Sequence, residues 1–151
     1  MAKILPKLVT VKQSVAITPN MQRITLVGEH LASFPANVES AHLKLTFPLG
    51  KEKMHQPSAW EALFARKPLS TRPYTVRNFD PASGELDVDF ALHAHGGPAG
   101  TWAASAQPGD TVAYAGPGTT KLVDATADWF LLAGDMTALP AIGANLERLP
   151  K

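Results

Sequence analysis

Three clusters of residues have types and spacing that could do chemistry. The first is Thr71-Arg72-Pro73-Tyr74-Thr75-Val76-Arg77. Along a strand, Arg72, Tyr74 and Val76 share one face. Arginine offers a fixed fork of donors that suits phosphate. Tyrosine offers a flat face for a planar ring, and threonine a small hydroxyl. Together they could hold a nucleotide that carries an aromatic ring system. An edge strand with an exposed Arg/Tyr face is the plainer reading of the same residues.

The second cluster is His93-Ala-His-Gly-Gly-Pro-Ala-Gly-Thr-Trp-Ala103. Glycines ahead of a helix let backbone approach a phosphate, and a helix N-terminus favours negative charge. Pro98 suits a first helical turn, and Thr101 could add a hydroxyl. His93 and His95 share a face if the strand before them continues. They could then pair on a metal, but no third ligand lies nearby in sequence, so no metal site is assigned. The third cluster is Leu132-Ala-Gly-Asp-Met-Thr-Ala-Leu-Pro140, a glycine turn from an apolar run into a helix. Such turns are where α/β sheets bind ligands, although G-x-G-x-x-G is not matched. No P-loop, Ser-His-Asp elbow or H-E-x-x-H motif is present. Asp87 and Asp89 read as a solvated strand face.

The elements that must position these residues are mainly strands. Lys7 to Thr18 is rich in Val, Ile and Thr and ends at the turn signal Pro19-Asn20. Met21 to Val27 follows, with a slip in its alternation before Ile24. Ala41 to Phe47 puts Leu43, Leu45 and Phe47 on one face. Residues 49–57 read as a basic loop, and Ser58 to Lys67 as a short helix capped by Ser58. Arg72 to Phe79 and Glu85 to His93 read as a hairpin around Asp80-Pro-Ala-Ser-Gly84. Leu86, Val88, Phe90 and Leu92 alternate toward the core. A short helix over Ala99 to Ala106, a turn at Pro108-Gly109-Asp110 and a strand over Thr111 to Ala115 complete the set. Six antiparallel strands with regular turns predict a barrel or sandwich. After Asp128 the pattern changes. Trp129 to Ala133 reads as a buried strand and Thr137 to Leu149 as a helix, the opening of a parallel α/β unit. The predicted domains are residues 1–125 and the start of a second over 126–151.

Composition narrows the classes. The chain has 151 residues, no cysteine and a formal charge of +1. That length allows one full domain and little more. Without cysteine there is no disulfide, thiolate metal site or iron–sulfur cluster, so an oxidising compartment is not needed and a cytoplasmic location is expected. No membrane span or secretory leader is expected from the sequence. Near-neutral charge argues against a nucleic-acid partner. Residues 1–79 nevertheless hold 11 Lys/Arg against 4 Asp/Glu, and residues 80–151 hold 3 against 9. The split marks a basic face unless the two halves interleave.

In combination the motifs resemble the siderophore-interacting proteins, a branch of the ferredoxin-reductase-like flavoproteins. The resemblance rests on Arg-Pro-Tyr-Thr-Val-Arg at 72–77, Glu-Leu-Asp-Val-Asp-Phe-Ala-Leu-His at 85–93 and Gly-Pro-Ala-Gly-Thr-Trp-Ala at 97–103. Pro-Gly-Asp at 108–110, Ala-Gly-Pro at 115–117 and Ala-Gly-Asp-Met-Thr-Ala-Leu-Pro-Ala-Ile at 133–142 continue it.

The resemblance implies a six-stranded antiparallel Greek-key barrel that binds FAD, followed by an α/β nicotinamide-nucleotide domain of which this chain holds the first strand and helix. The implied activity is reduction of ferric siderophore Fe(III) to Fe(II), with electrons from NAD(P)H or ferredoxin. By the same resemblance Arg72 contacts the FAD phosphates, with Pro73 beside it. Tyr74 lies on the isoalloxazine, Thr75 bonds near its reactive nitrogen, and Arg77 adds a second cation. His93 lies by the ring or ribityl chain. Gly97, Pro98, Ala99, Thr101 and Trp102 form the phosphate-binding helix start, and Gly134, Asp135 and Thr137 the turn into the nucleotide domain. Met136 stands where relatives often carry an acid. Lys44, Lys51, Lys53, Arg66 and Lys67 are candidates to attract an anionic ferric chelate. The chemistry would be flavin-borne, with no side chain acting as acid, base or nucleophile. A non-catalytic flavin- or siderophore-binding module, or a cofactor-free barrel that binds partners, fits the same residues.

Overall fold

The computed structural model describes residues 7–49 and 69–150. The predicted loop over 49–57 from residue 50 onward, the predicted helix over 58–67, and Lys51, Lys53, Arg66 and Lys67 lie outside the described residues.

Among the described residues, seven strands form one antiparallel sheet. They are β1 (Lys7–Thr18), β2 (Met21–Val27), β3 (His42–Pro48), β4 (Leu69–Thr75), β5 (Asn78–Asp80), β6 (Glu85–Ala91) and β7 (Thr111–Ala115). A 3-10 turn spans Glu29–Ser33, helix α1 (Pro98–Ser105) lies between β6 and β7, and helix α2 (Leu139–Glu147) follows β7. The order across the sheet is β4-β3-β7-β1-β2-β6-β5. Two-residue periodicity dictates which side chains turn inward. Leu43, Leu45 and Phe47 of β3, Leu86, Val88 and Phe90 of β6, Ile24 and Leu26 of β2, and Val9 and Val11 of β1 are all buried. The slip before Ile24 lies opposite a bulge in β1, where the register shifts between Ala16 and Thr18.

The predicted hairpin needs correction. Arg72 to Phe79 is not one strand paired with Glu85 to His93. Its first part, β4, pairs with β3, with Leu43 opposite Tyr74 and Leu45 opposite Arg72. Only β5 pairs with β6, around the predicted turn. The change of partner falls at two residues. Val76 N–H bonds to Ala41 C=O at 2.8 Å, on the β3 side, and Arg77 N–H bonds to Asp87 C=O at 3.0 Å, on the β6 side. That split turns the six expected strands into seven. The sheet also curls, because its two outer strands are consecutive stretches of chain. Tyr74 of β4 thereby meets Phe90 of β6 with ring centroids 4.3 Å apart.

The strand expected over Trp129–Ala133 is absent. Trp129 is 79% and Leu131 81% exposed, and the segment has no ladder partner among the described residues. A run of apolar residues cannot hold strand form without a neighbour to take its backbone hydrogen bonds. The helix after it forms, over 139–147 rather than 137–149.

α2 is fastened to the sheet and its connections by polar contacts. The buried Asn145 amide donates to Ser40 Oγ at 3.0 Å and Lys121 C=O at 3.1 Å, and its Oδ1 accepts Val123 N–H at 2.8 Å. Ser40 sits at φ +74°, unusual for a residue with a side chain, and its Oγ donates to Lys121 C=O at 2.6 Å. Arg77 forms a two-pronged pair with Glu147 at 2.8 and 2.6 Å, and Arg148 reaches Glu39 at 3.1 Å. No helix among the described residues is long and apolar enough to cross a membrane.

Two outcomes are expected. Asn145→Ala strands the Val123 N–H and leaves the Lys121 carbonyl to Ser40 Oγ alone, and a urea titration should show a loss of about 1–3 kcal/mol; an unchanged midpoint would rule out this fastening. The Glu147 carboxyl is held below its ordinary range, chiefly by the hydrogen bonds from Arg77, with smaller help from the charges of Arg77 and Arg23 and against some desolvation. A carboxyl lowered in the folded state stabilises fully above its unfolded value of 4.5 and loses that contribution as pH falls below it. Amide chemical shifts of residues 139–147 should therefore move in acid below that point, and in Glu147→Gln the titration should vanish.

Candidate functional site

The first predicted cluster stands on β4. Its strand rhythm presents Arg72 and Tyr74 on the same side. Tyr74 rests on Phe90, with the edge of Phe47 6.2 Å away, and Phe47 and Phe90 in turn pack on Trp102 of α1 at 5.3 and 5.8 Å. This aromatic cluster joins β3, β4, β6 and α1. It fixes the Tyr74 ring while leaving it half-buried at the surface of a cleft. Burial pushes the Tyr74 phenol up to about 12, against a smaller lowering by Arg72. The phenol stays protonated and remains a donor at any physiological pH.

The cleft has a volume of about 430 Å³. One wall is Arg72, Pro73, Tyr74 and Thr75, with His42 beside them on β3. The other is the start of α1, Gly96 to Gly100, with His93 before it. Thr137 and Pro140, at the entry to α2, close a third side. Nine of the residues expected at a cofactor are thus brought to one volume: Arg72, Pro73, Tyr74, Thr75, His93, Gly97, Pro98, Ala99 and Thr137.

The α1 start has the makings of an anion cradle. Gly97 caps it in extended conformation with no side-chain cap, Pro98 opens the first turn, and no acidic residue lies in that turn. Its free N–H groups carry the positive end of the helix dipole. A side chain added at Gly97 or Gly100 would meet nothing within 4 Å, so the glycines keep open space in front of the backbone. Arg72 faces the same volume. Its guanidinium donates to Thr71 C=O at 3.0 Å and meets no carboxylate among the described residues. A planar ring on Tyr74, with phosphates between Arg72 and α1, suits this donor set, so the residues present fit a flavin nucleotide.

Other expected residues stand elsewhere. Trp102 is only 8% exposed and forms the aromatic floor beneath Tyr74. Thr101 turns its hydroxyl back toward Gly96 C=O at 3.4 Å. Arg77 does not line the cleft, since its guanidinium is on Glu147. Asp135 accepts from Thr137 N–H and Oγ at 2.8 and 2.6 Å, a local turn of which Thr137 reaches the cleft and Asp135 does not. Gly134 is required by that turn, because a side chain there would come within 2.4 Å of the Ala138 methyl. Lys44 is exposed on β3 and lines neither this cleft nor the next.

Two sequence expectations are corrected here. β6 ends at Ala91, so His93 and His95 do not share a strand face; His93 lines the cleft and His95 does not. Asp89 is not solvated. It is buried on the cleft floor and takes a two-pronged pair from Arg23 at 2.7 and 2.8 Å, while Asp87 accepts from Thr25 at 2.7 Å. The Arg23 pair, with Arg77 Nε 3.8 Å away, offsets the Asp89 charge, so the floor does not repel an anion.

His42 and Asp89 line the site without having been read as site residues from the sequence. His42 lies opposite Thr75 in the ladder, and its ring covers Gly118, where any side chain would come within 2.4 Å of it. Only the pairing of β3 with β4 reveals that placement. A second hollow of about 480 Å³ adjoins the first across His42, Pro73 and Thr75, and extends to Lys121 and Ile142.

Comparison with known proteins agrees with this geometry. Residues 10–121 match the siderophore-interacting FAD-binding domain, and residues 127–151 match the siderophore-interacting protein family. The ferric vibriobactin reductase ViuB of Vibrio cholerae is 36% identical over 151 residues, covering 98% of this chain and 56% of that protein. The NADPH-dependent ferric-chelate reductase of Escherichia coli is 34% identical over 145 residues, covering 94% of this chain and 56% of the relative. The chain therefore spans little more than half the length of these relatives. The crystal structure of the siderophore-interacting protein SipS from Aeromonas hydrophila superposes with a TM-score of 0.72 at 35% identity, covering 96% of this chain and 54% of SipS. A ferredoxin-NADP+ reductase from Plasmodium falciparum, at 13% identity and a TM-score of 0.57 over 95% of this chain and 52% of its own, shares the fold. With its cleft built largely from the stretch matched over 10–121, the chain belongs to the siderophore-interacting protein family.

Proposed function

We propose that this chain is the FAD-holding part of a ferric-siderophore reductase. The observation that carries the reading is the single cleft that gathers Arg72, Tyr74, Thr75, His93 and the glycine-lined start of α1. Bound FAD would supply the redox chemistry, passing electrons from NAD(P)H to chelated Fe(III). The protein's part is to bind and orient. Arg72 and the α1 amides take the phosphates. Tyr74, stiffened by Phe90 and Phe47, gives the ring a platform, and Thr75 and His93 offer polar atoms along its edge. Asp89 is already paired and takes no part in proton transfer.

Residues 1–125 form the FAD domain on this reading, with β4 and β5 counted as one bent strand of a six-stranded Greek-key barrel. Residues 126–151 open the nicotinamide-nucleotide domain, with Gly134 and Asp135 shaping its first turn. The name of the E. coli relative favours NADPH over ferredoxin as donor. Ferric siderophores are often anionic, and Lys44 is an exposed cation on β3 that would help attract one. Fe(II) binds such chelators weakly, so reduction frees the iron, on this reading in the cytoplasm.

The protein should purify yellow, with absorption near ~450 nm as flavins show. Arg72→Ala should weaken FAD binding by roughly 10- to 100-fold, as loss of a charged hydrogen-bonding partner does. Tyr74→Ala should relieve quenching of the flavin fluorescence. Unchanged affinity and fluorescence in both variants would remove these residues from the site. A binding module is separated from a reductase anaerobically. Protein reduced by dithionite, freed of excess reductant and mixed with a ferric siderophore, should regain its oxidised spectrum as Fe(II) appears. A spectrum that stays reduced would leave binding without catalysis.

A further inference from the structure

We infer that Arg77 and Glu147, acting with Asp89 and Arg23, form a four-charge clamp that sets the opening of the cleft. Arg77 is then a positioning residue for the cofactor and not a ligand of it. The inference rests on the flavin reading above for its consequence, and on contacts within this chain for its structure.

The four groups alternate in sign and run from β2 to α2. Arg23 Nε and Nη2 hold the two oxygens of Asp89 at 2.7 and 2.8 Å. Arg77 Nε lies 3.8 Å from Asp89 Oδ2, and the far side of the same guanidinium grips Glu147 at 2.6 and 2.8 Å. The row meets the cleft at its second member, since Asp89 forms part of the floor. Its last member is on α2, whose first turn supplies Pro140 to the opposite wall. The distance between floor and wall therefore depends on the row being intact.

Two details favour a clamp over a chance surface pair. The Arg77 side chain is only 16% exposed, and a fork-to-fork arginine–carboxylate pair fixes direction as well as distance. The helix also presents bare backbone where the guanidinium crosses it, since a side chain on Gly143 would start 3.6 Å from Arg77 Nε and Nη2. Arg77 sits where the strand changes partner, so its backbone is held by β6 while its side chain holds α2. A phosphate contact would require the guanidinium to leave two carboxylates.

Glu147 makes the test clean, because its side chain is 62% exposed and lies outside the cleft lining. Glu147→Ala should weaken FAD binding at least threefold, change the fluorescence of the bound flavin and raise hydrogen exchange in residues 139–147. Glu147→Asp should restore part of each. In a double-mutant cycle, Arg77→Gln with Glu147→Ala should bind FAD no worse than Arg77→Gln alone. Additive losses would make Arg77 a direct ligand and overturn the clamp. So would a Glu147→Ala protein whose affinity and flavin spectrum match wild type. Wild-type protein that takes up no FAD would instead sink the flavin reading, and this inference with it.

Discussion

The site depends on one backbone event, the change of partner at Val76–Arg77. Up to Val76 the chain takes its hydrogen bonds from β3 and the residues before it, and from Arg77 onward it takes them from β6. Backbone groups in a core must be paired, so the segment cannot drift between the two neighbours. This places Arg72 and Tyr74 beside the α1 start, on the side of the sheet where Phe90 lies beneath them. It sends Arg77, five residues on, toward Asp89 and α2. Two arginines in one motif therefore meet different surroundings.

Charge balance follows from that arrangement. A buried carboxylate such as Asp89 would oppose a phosphate-bearing ligand if left alone. Arg23 and Arg77 offset it, and Glu147 balances Arg77 in turn. Arg72 and the helix amides are left as the positive groups facing the cleft. The basic first half and acidic second half of the sequence thus interleave at these pairs. Arg23 and Arg77 come from the first half, and Asp89 and Glu147 from the second. The charge split reports partners within the fold as much as a basic face.

Much of the fold was legible because alternation is local. β3 and β6 show their inward residues directly, and the turn at Asp80–Gly84 forms as its residue types imply, with Gly84 at φ +68°. The motif stretches at 72–75 and 97–99 line one cleft. What could not be read was pairing. Nothing local to Arg72–Phe79 says that its two ends have different neighbours. For the same reason His42 and Asp89 were missed, since each reaches the cleft through a strand distant in sequence. The apolar run at Trp129–Leu131 misled in the opposite sense: local residue types favour a strand, but a strand also needs a partner ladder.

The most direct test of the central claim is an amide chemical-shift map of the protein titrated with FAD. Large perturbations are expected at residues 72–75, 93 and 97–101, with smaller ones reaching 137–140. A titration that moves no peaks, or moves a cluster on another face of the sheet, would contradict the assignment of this cleft.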